Sequence, residues 1–298
     1  DLANAVTLAS SLTGFERLQA EGSGALTLSG HSYSFDTVTL PGNLTVAAGA
    51  SLAAGRVTFG PADNRLTIAG AFTGSVDGGA GSDAIELSGT GTFGSISGFE
   101  ALRMTAGLAT VSGLASLSNI ALTGGRLTGL AASTISAATI TVGQGAIFGS
   151  AGTVNGNVAV SGTLSPGASP GTMTVNGNVA LAGTSVSVFE ITPTMADKLV
   201  INGQLSIAQG ATLQILADVA VTPGRSLELI TASGGITGSF TNVVKPASLF
   251  GFLVQDADSI TLMGQFLNDA SYSAPVRGAI DYINSVLVSG KVLSSVES

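Results

Sequence analysis

The 298-residue chain has no cysteine, no tryptophan and one histidine, and only 9% of its side chains are charged, 10 Lys and Arg against 18 Asp and Glu. An ordinary soluble domain is about 25% charged. Without cysteine there are no disulfides, thiolate metal sites or cysteine nucleophiles, and a single histidine excludes a histidine cluster for zinc. The few basic residues are scattered through an acidic chain of net charge -8 and pI near 4.4, which excludes a basic face for nucleic acid. No apolar run approaches the ~18 residues of a membrane helix. The longest runs only from Ser248 to Val254. Nothing after Asp1 reads as a signal peptide; an exported form has already lost that segment.

What the chain does have is glycine, 42 residues of it, in a 45% hydrophobic sequence of mean hydropathy +0.52. Disorder is excluded by that hydrophobicity, and collagen by the lack of a strict three-residue glycine period. From Ala25 to about Met263 the texture is short alternating runs closed by Gly, Asn, Ser or Pro, such as Asn43-Leu-Thr-Val46, Arg65-Leu-Thr-Ile68 and Ser259-Ile-Thr-Leu262. A period of two with β-branched residues is the pattern of half-buried strands.

Strand spacing alone fits a sandwich, a barrel or a solenoid; the repeats choose. Val154-Asn-Gly-Asn-Val-Ala-Val160 recurs as Val175-Asn-Gly-Asn-Val-Ala-Leu181 and loosely as Ile201-Asn-Gly-Gln-Leu-Ser-Ile207, at offsets of 21 and 26 residues. That period is one coil of a parallel β-helix. Like faces stay buried only if the copies stack in parallel with like positions superposed, and the asparagines then form a hydrogen-bonded ladder at a turn. Upstream, Leu12-Thr-Gly-Phe-Glu-Arg-Leu18 matches Ile96-Ser-Gly-Phe-Glu-Ala-Leu102, each after a related strand, Asn4 to Leu8 and Asp83 to Leu87. On this reading the two are equivalent copies, and Asp1 lies inside a longer array. From Ala274 to Ser289 the apolar positions Val276, Ile280, Ile283 and Leu287 have helical spacing, with Pro275 in the first turn and Gly290 at the stop.

Gly162-Thr-Leu-Ser-Pro-Gly-Ala-Ser-Pro-Gly-Thr-Met-Thr-Val-Asn-Gly-Asn178 resembles the passenger-associated repeat of autotransporters, the self-secreting surface proteins of Gram-negative bacteria. Two Ser-Pro-Gly turns in tandem make physical sense, because Pro fixes φ and Gly accepts φ > 0. The similarity runs from about Gly152 to Leu262, through Ala196-Asp-Lys-Leu-Val-Ile201 and Pro223 to Thr231, and more loosely over Leu12 to Gly129. The resemblance implies a right-handed parallel β-helix whose C-terminal part is the folding nucleus, on the cell surface or outside the cell. It also implies a helix leading toward an outer-membrane barrel, of which this sequence contains no part. The domain reading is a β-helix over 1–240, a β cap over 241–265 and a helical tail or linker over 266–298.

Gly78-Gly-Ala-Gly-Ser-Asp-Ala-Ile-Glu86 fits the calcium-binding nonapeptide, making Asp77 and Asp83 the candidate Ca²⁺ ligands. One copy cannot form the shared site by itself, and the other reading is a Gly-rich turn whose Asp83 caps backbone N–H groups. No other cofactor is expected. Gly167-Ala-Ser-Pro-Gly171 matches a nucleophile elbow by letter, but Pro170 has no N–H for the oxyanion hole. His31, at a strand end, has no visible catalytic partner. Gly89-Thr-Gly-Thr-Phe-Gly94 matches a dinucleotide loop by letter but opens no helix. Glu16 beside Arg17 and Asp197 beside Lys198 place opposite charges together, whereas carboxylates from different coils are free to meet.

The expected function is a non-enzymatic structural or adhesive passenger that self-assembles into a homo-oligomer, filament or surface layer, with a host or matrix surface as a further partner. A polysaccharide-active β-helix enzyme and a stalk for a lost N-terminal effector domain are the alternatives.

Overall fold

The computed structural model describes residues 4–167, 170–192, 195–217 and 221–289. It is a parallel β-solenoid, 54% strand. Each inner coil contributes one short strand to each of three faces. The first face begins with Val6–Leu8, Leu26–Leu28 and Leu44–Val46 and ends with Leu205–Ile207 and Ile236–Gly238. The second runs from the start of Ser32–Leu40 to Thr212–Ala217 and Asn242–Val244. The third runs from Arg17–Gln19 to Lys198–Ile201 and Ser226–Ala232. Parallel stacking continues to Val244, past the expected boundary at 240.

Alternation builds the core. In strands such as Leu26-Thr27-Leu28 and Leu44-Thr45-Val46 the aliphatic residues point inward and are at most 5% exposed, and the threonines between them face out. Burying each aliphatic side chain contributes about 1.5–3 kcal/mol, and the next coil lays a like residue on it. Aromatics also meet in the core: Phe72 and Phe93 on successive coils have ring centroids 5.4 Å apart, and Phe59 meets Phe99, two coils on, edge to face at 5.7 Å.

The Asn-Gly-Asn repeats form the corner between the third and first faces. Val154 lies beside Val175 and Val158 beside Val179, in parallel and in the expected register. Asn176 Nδ2 donates to Asn155 Oδ1 and Asn202 Nδ2 to Asn176 Oδ1, both at 2.7 Å. A second ladder runs on the other side of the glycines: the Asn178 N–H donates to Asn157 Oδ1 and the Gln204 N–H to Asn178 Oδ1, each at 2.9 Å. Gly156 between the ladders has φ +136°, and a Cβ there would lie 1.7 Å from the Ala137 carbonyl oxygen. Only glycine lets the two coils approach this closely.

The upstream duplication is not structurally equivalent. Leu18 stacks on Val38 in the third face, whereas Leu102 stacks between Ile85 and Ile120 in the first. Phe99 is 2% exposed and Phe15 58%. The preceding strands do share the first face, but the segment after Leu8 reaches its next ladder without a strand on the second face. The same letters therefore fall one face apart.

At the C-terminal end Ser226–Ala232 pairs antiparallel with Ser259–Gly264, which pairs antiparallel with Gly251–Gln255. Helix α1, Ala274–Ser289, docks on this cap. Asn284 fixes it by accepting from the Phe266 N–H and donating to the Phe266 carbonyl, both at 2.9 Å. Ile280, Ile283 and Leu287 are half-buried as expected, but Val276 is 47% exposed, and Val286 is the buried residue of the helix. The helix therefore packs through its C-terminal half. The expected stop, Gly290, lies outside the described residues.

Two glycines separate close approach from backbone preference alone. Gly145 has φ +81°, and a Cβ there would meet nothing within 4 Å, so Gly145→Ala is expected to cost about 1 kcal/mol. Gly156→Ala adds a backbone clash to its strain and is expected to cost about 3 kcal/mol or more. Urea unfolding of the two variants checks this, and equal losses would contradict it.

Candidate functional site

Acidic residues from three consecutive coils gather where the third face turns into the first. Asp63 lies before Arg65–Ile68, Asp77 and Asp83 flank the turn before Ala84–Leu87, and Glu100 lies before Ala101–Met104. The turn depends on Gly79 at φ +87° and Gly81 at φ +121°, conformations that glycine adopts at little cost.

Each carboxylate is committed to a different backbone group. Asp83 Oδ1 accepts from the Asn64 N–H at 2.5 Å, and Glu100 Oε2 from the Asp83 N–H at 2.6 Å. Asp63 Oδ1 accepts from the Ser82 N–H at 2.8 Å. Asp77 Oδ1 accepts from the Gly79 N–H at 3.3 Å, and its Oδ2 pairs with Arg56. The candidate calcium ligands thus point to different tasks, and among the described residues no three Asp, Glu or His side chains form a group able to hold a metal. Asp83 does cap a backbone N–H of the neighbouring coil.

Asp83 is 1% exposed and Asn64 4%. Asp83 Oδ2 and Asn64 Oδ1 have no hydrogen-bond partner among the described residues. Burial raises the Asp83 pKa; the Asn64 N–H opposes that shift, while Glu100, Asp63 and Asp77 add to it.

A second buried carboxylate holds the backbone at Gly171, which ends the tandem Ser-Pro-Gly sequence. Asp197 is 2% exposed, with Oδ1 accepting from the Gly171 N–H at 2.9 Å and Oδ2 from the Glu190 N–H at 2.8 Å. Burial raises its pKa, against both hydrogen bonds. Lys198 pairs across coils with Glu228 rather than with Asp197. Sequence reading treated Asp197 as half of a local pair and missed this clasp. The phase of alternation carries the signal: Asp197, Asp83 and Asn64 each lie two residues before an inward Leu199, Ile85 or Leu66, so their side chains share the core side.

The remaining motifs resolve simply. Gly89 to Gly94 opens the strand Thr90–Ser97, not a helix. Ala168 and Ser169 of the elbow-like segment lie outside the described residues. His31 is exposed, its ring edge-on to Tyr33 at 6.5 Å. Tyr33 itself reaches back to the first coil, donating to the Leu8 carbonyl at 2.7 Å.

No protein family matches this chain, and no curated protein matches it in sequence.

An acid whose folded pKa is raised contributes stability that is full below its unfolded value, about 3.8 here, and is lost as pH rises through the folded value. Asp83→Asn keeps an acceptor for the Asn64 N–H and removes the titration. The stability of the wild type relative to this variant is therefore expected to grow as pH falls from 7 toward 4. Urea unfolding at both pH values measures the difference; a constant or shrinking difference would contradict it.

Proposed function

We propose that this chain is the passenger part of an autotransporter: a non-enzymatic structural or adhesive solenoid, displayed outside a Gram-negative cell, that self-associates. The observation that carries the reading is the distribution of charge. Between Arg126 and Glu190 there is no charged residue, and in those coils the outward positions are Thr, Ser, Ala, Asn and Ile, as in Thr139, Thr141, Ile147, Thr153, Asn155, Ala159 and Thr163. A belt without charge offers no like-charge repulsion to a neighbour, and depletion of charge marks the centre of protein interfaces.

Polysaccharide cleavage calls for two carboxyl groups facing one substrate. The acids that gather here face backbone N–H groups instead, and Asp83 is beyond a polymer's reach.

Light scattering and electron microscopy at rising protein concentration test the proposal. Ordered assemblies are expected, persisting at about 1 M salt because screening weakens ionic contacts and leaves uncharged ones. Dispersed monomers at every concentration, or assemblies that dissolve in salt, would overturn it.

A further inference from the structure

Resting on the adhesive part of that reading, a depression on the first face gives it a ligand chemistry. It has a volume of about 220 Å³ and is lined by Thr67, Glu86, Leu87, Ser88, Arg103 and Thr105. Two outward columns form it. In one, Thr67, Glu86 and Arg103 follow one another in register on successive coils, about 4.8 Å apart. In the other, Ser88 and Thr105 lie beyond the register partners Leu87 and Met104. Leu87, 1% exposed, forms the floor.

The charges do not cancel. Glu86 is paired with Arg65 of the coil before it, at 3.4 Å. Arg103 has no hydrogen-bond or ion-pair partner among the described residues, and its neighbour on the following coil is Ala121. A solvent-facing guanidinium with hydroxyls from two coils beside it is thus left on a protein of net charge -8. Arginine presents a planar fork of donors that matches a carboxylate or sulfate.

We propose that this depression binds one anionic sugar unit, its acid group on Arg103 and its neighbouring hydroxyls on Glu86, Ser88 and Thr105. Glu86 serves as the hydroxyl acceptor because Arg65 offsets its charge. The open, shallow shape admits an internal unit of a polymer, so adhesion to an acidic polysaccharide gains strength from many copies acting together.

Isothermal titration with a glucuronate-containing oligosaccharide, a sulfated oligosaccharide and a neutral glucose oligomer of equal length tests the proposal. Binding to at least one anionic oligomer is expected, weakening as salt is raised and about tenfold or more weaker in Arg103→Gln. Arg126→Gln, on the second face, is expected to bind as the wild type does. No binding to either anionic oligomer, equal binding to the neutral one, or an Arg103→Gln variant of wild-type affinity and wild-type unfolding midpoint would overturn it. Self-association is read separately by scattering, so loss of sugar binding with assembly intact refutes the sugar site alone.

Discussion

Each inner strand of the solenoid has its backbone N–H and C=O groups answered by the coil before it and the coil after it, and only one register lets that happen with the same side chains inside. A slip of one residue turns every inward Leu, Val and Ile outward. Local features of the fold serve this constraint: threonines between buried aliphatics, glycines where corners approach, and side-chain ladders where the chain turns. The first-face threonines Thr7, Thr27, Thr45 and Thr67 lie in one outward column because the leucines beside them lie in inward ones.

Polar groups inside such a stack are costly unless they are hydrogen-bonded. Asp197 meets that demand fully, with two backbone donors for its two oxygens. Asp83 meets it in part, with one oxygen on the Asn64 N–H and the other without a partner among the described residues. Both residues stitch one coil to the next, Asp83 beside the glycine-rich turn and Asp197 at Gly171. In sequence Asp83 reads as a calcium ligand or a backbone cap and Asp197 as half of a local ion pair; in the fold both join coils.

The parts of the fold legible in the sequence were those repeated within it. The Val154 and Val175 segments carried their register in their own letters, and the asparagine ladder followed. The Leu12 and Ile96 segments show the limit of the same method. A shared motif fixes a local conformation, but the number of residues since the last strand decides which face it joins. The acids gathered around Asp83 were hidden for a related reason, since they come from coils 17 to 19 residues apart. Arg103 gave no local signal, because its isolation depends on Glu86 having been taken by Arg65 one coil earlier. The C-terminal helix was found from its period, yet its docking face shifted toward Val286 because Asn284, a polar residue, sets its rotation.

Parallel stacking at this register is open to direct measurement, because a chain without cysteine reports only on thiols placed in it. Ala159 and Ala180 are exposed register partners on adjacent coils, at a spacing of about 4.8 Å that a disulfide spans. Antiparallel pairing of the same two segments would instead bring residue 159 opposite Asn176. Under mild oxidation the Ala159→Cys, Ala180→Cys pair is expected to cross-link within one chain, and the Ala159→Cys, Asn176→Cys pair to remain reduced. Cross-linking of the second pair in place of the first would contradict the solenoid.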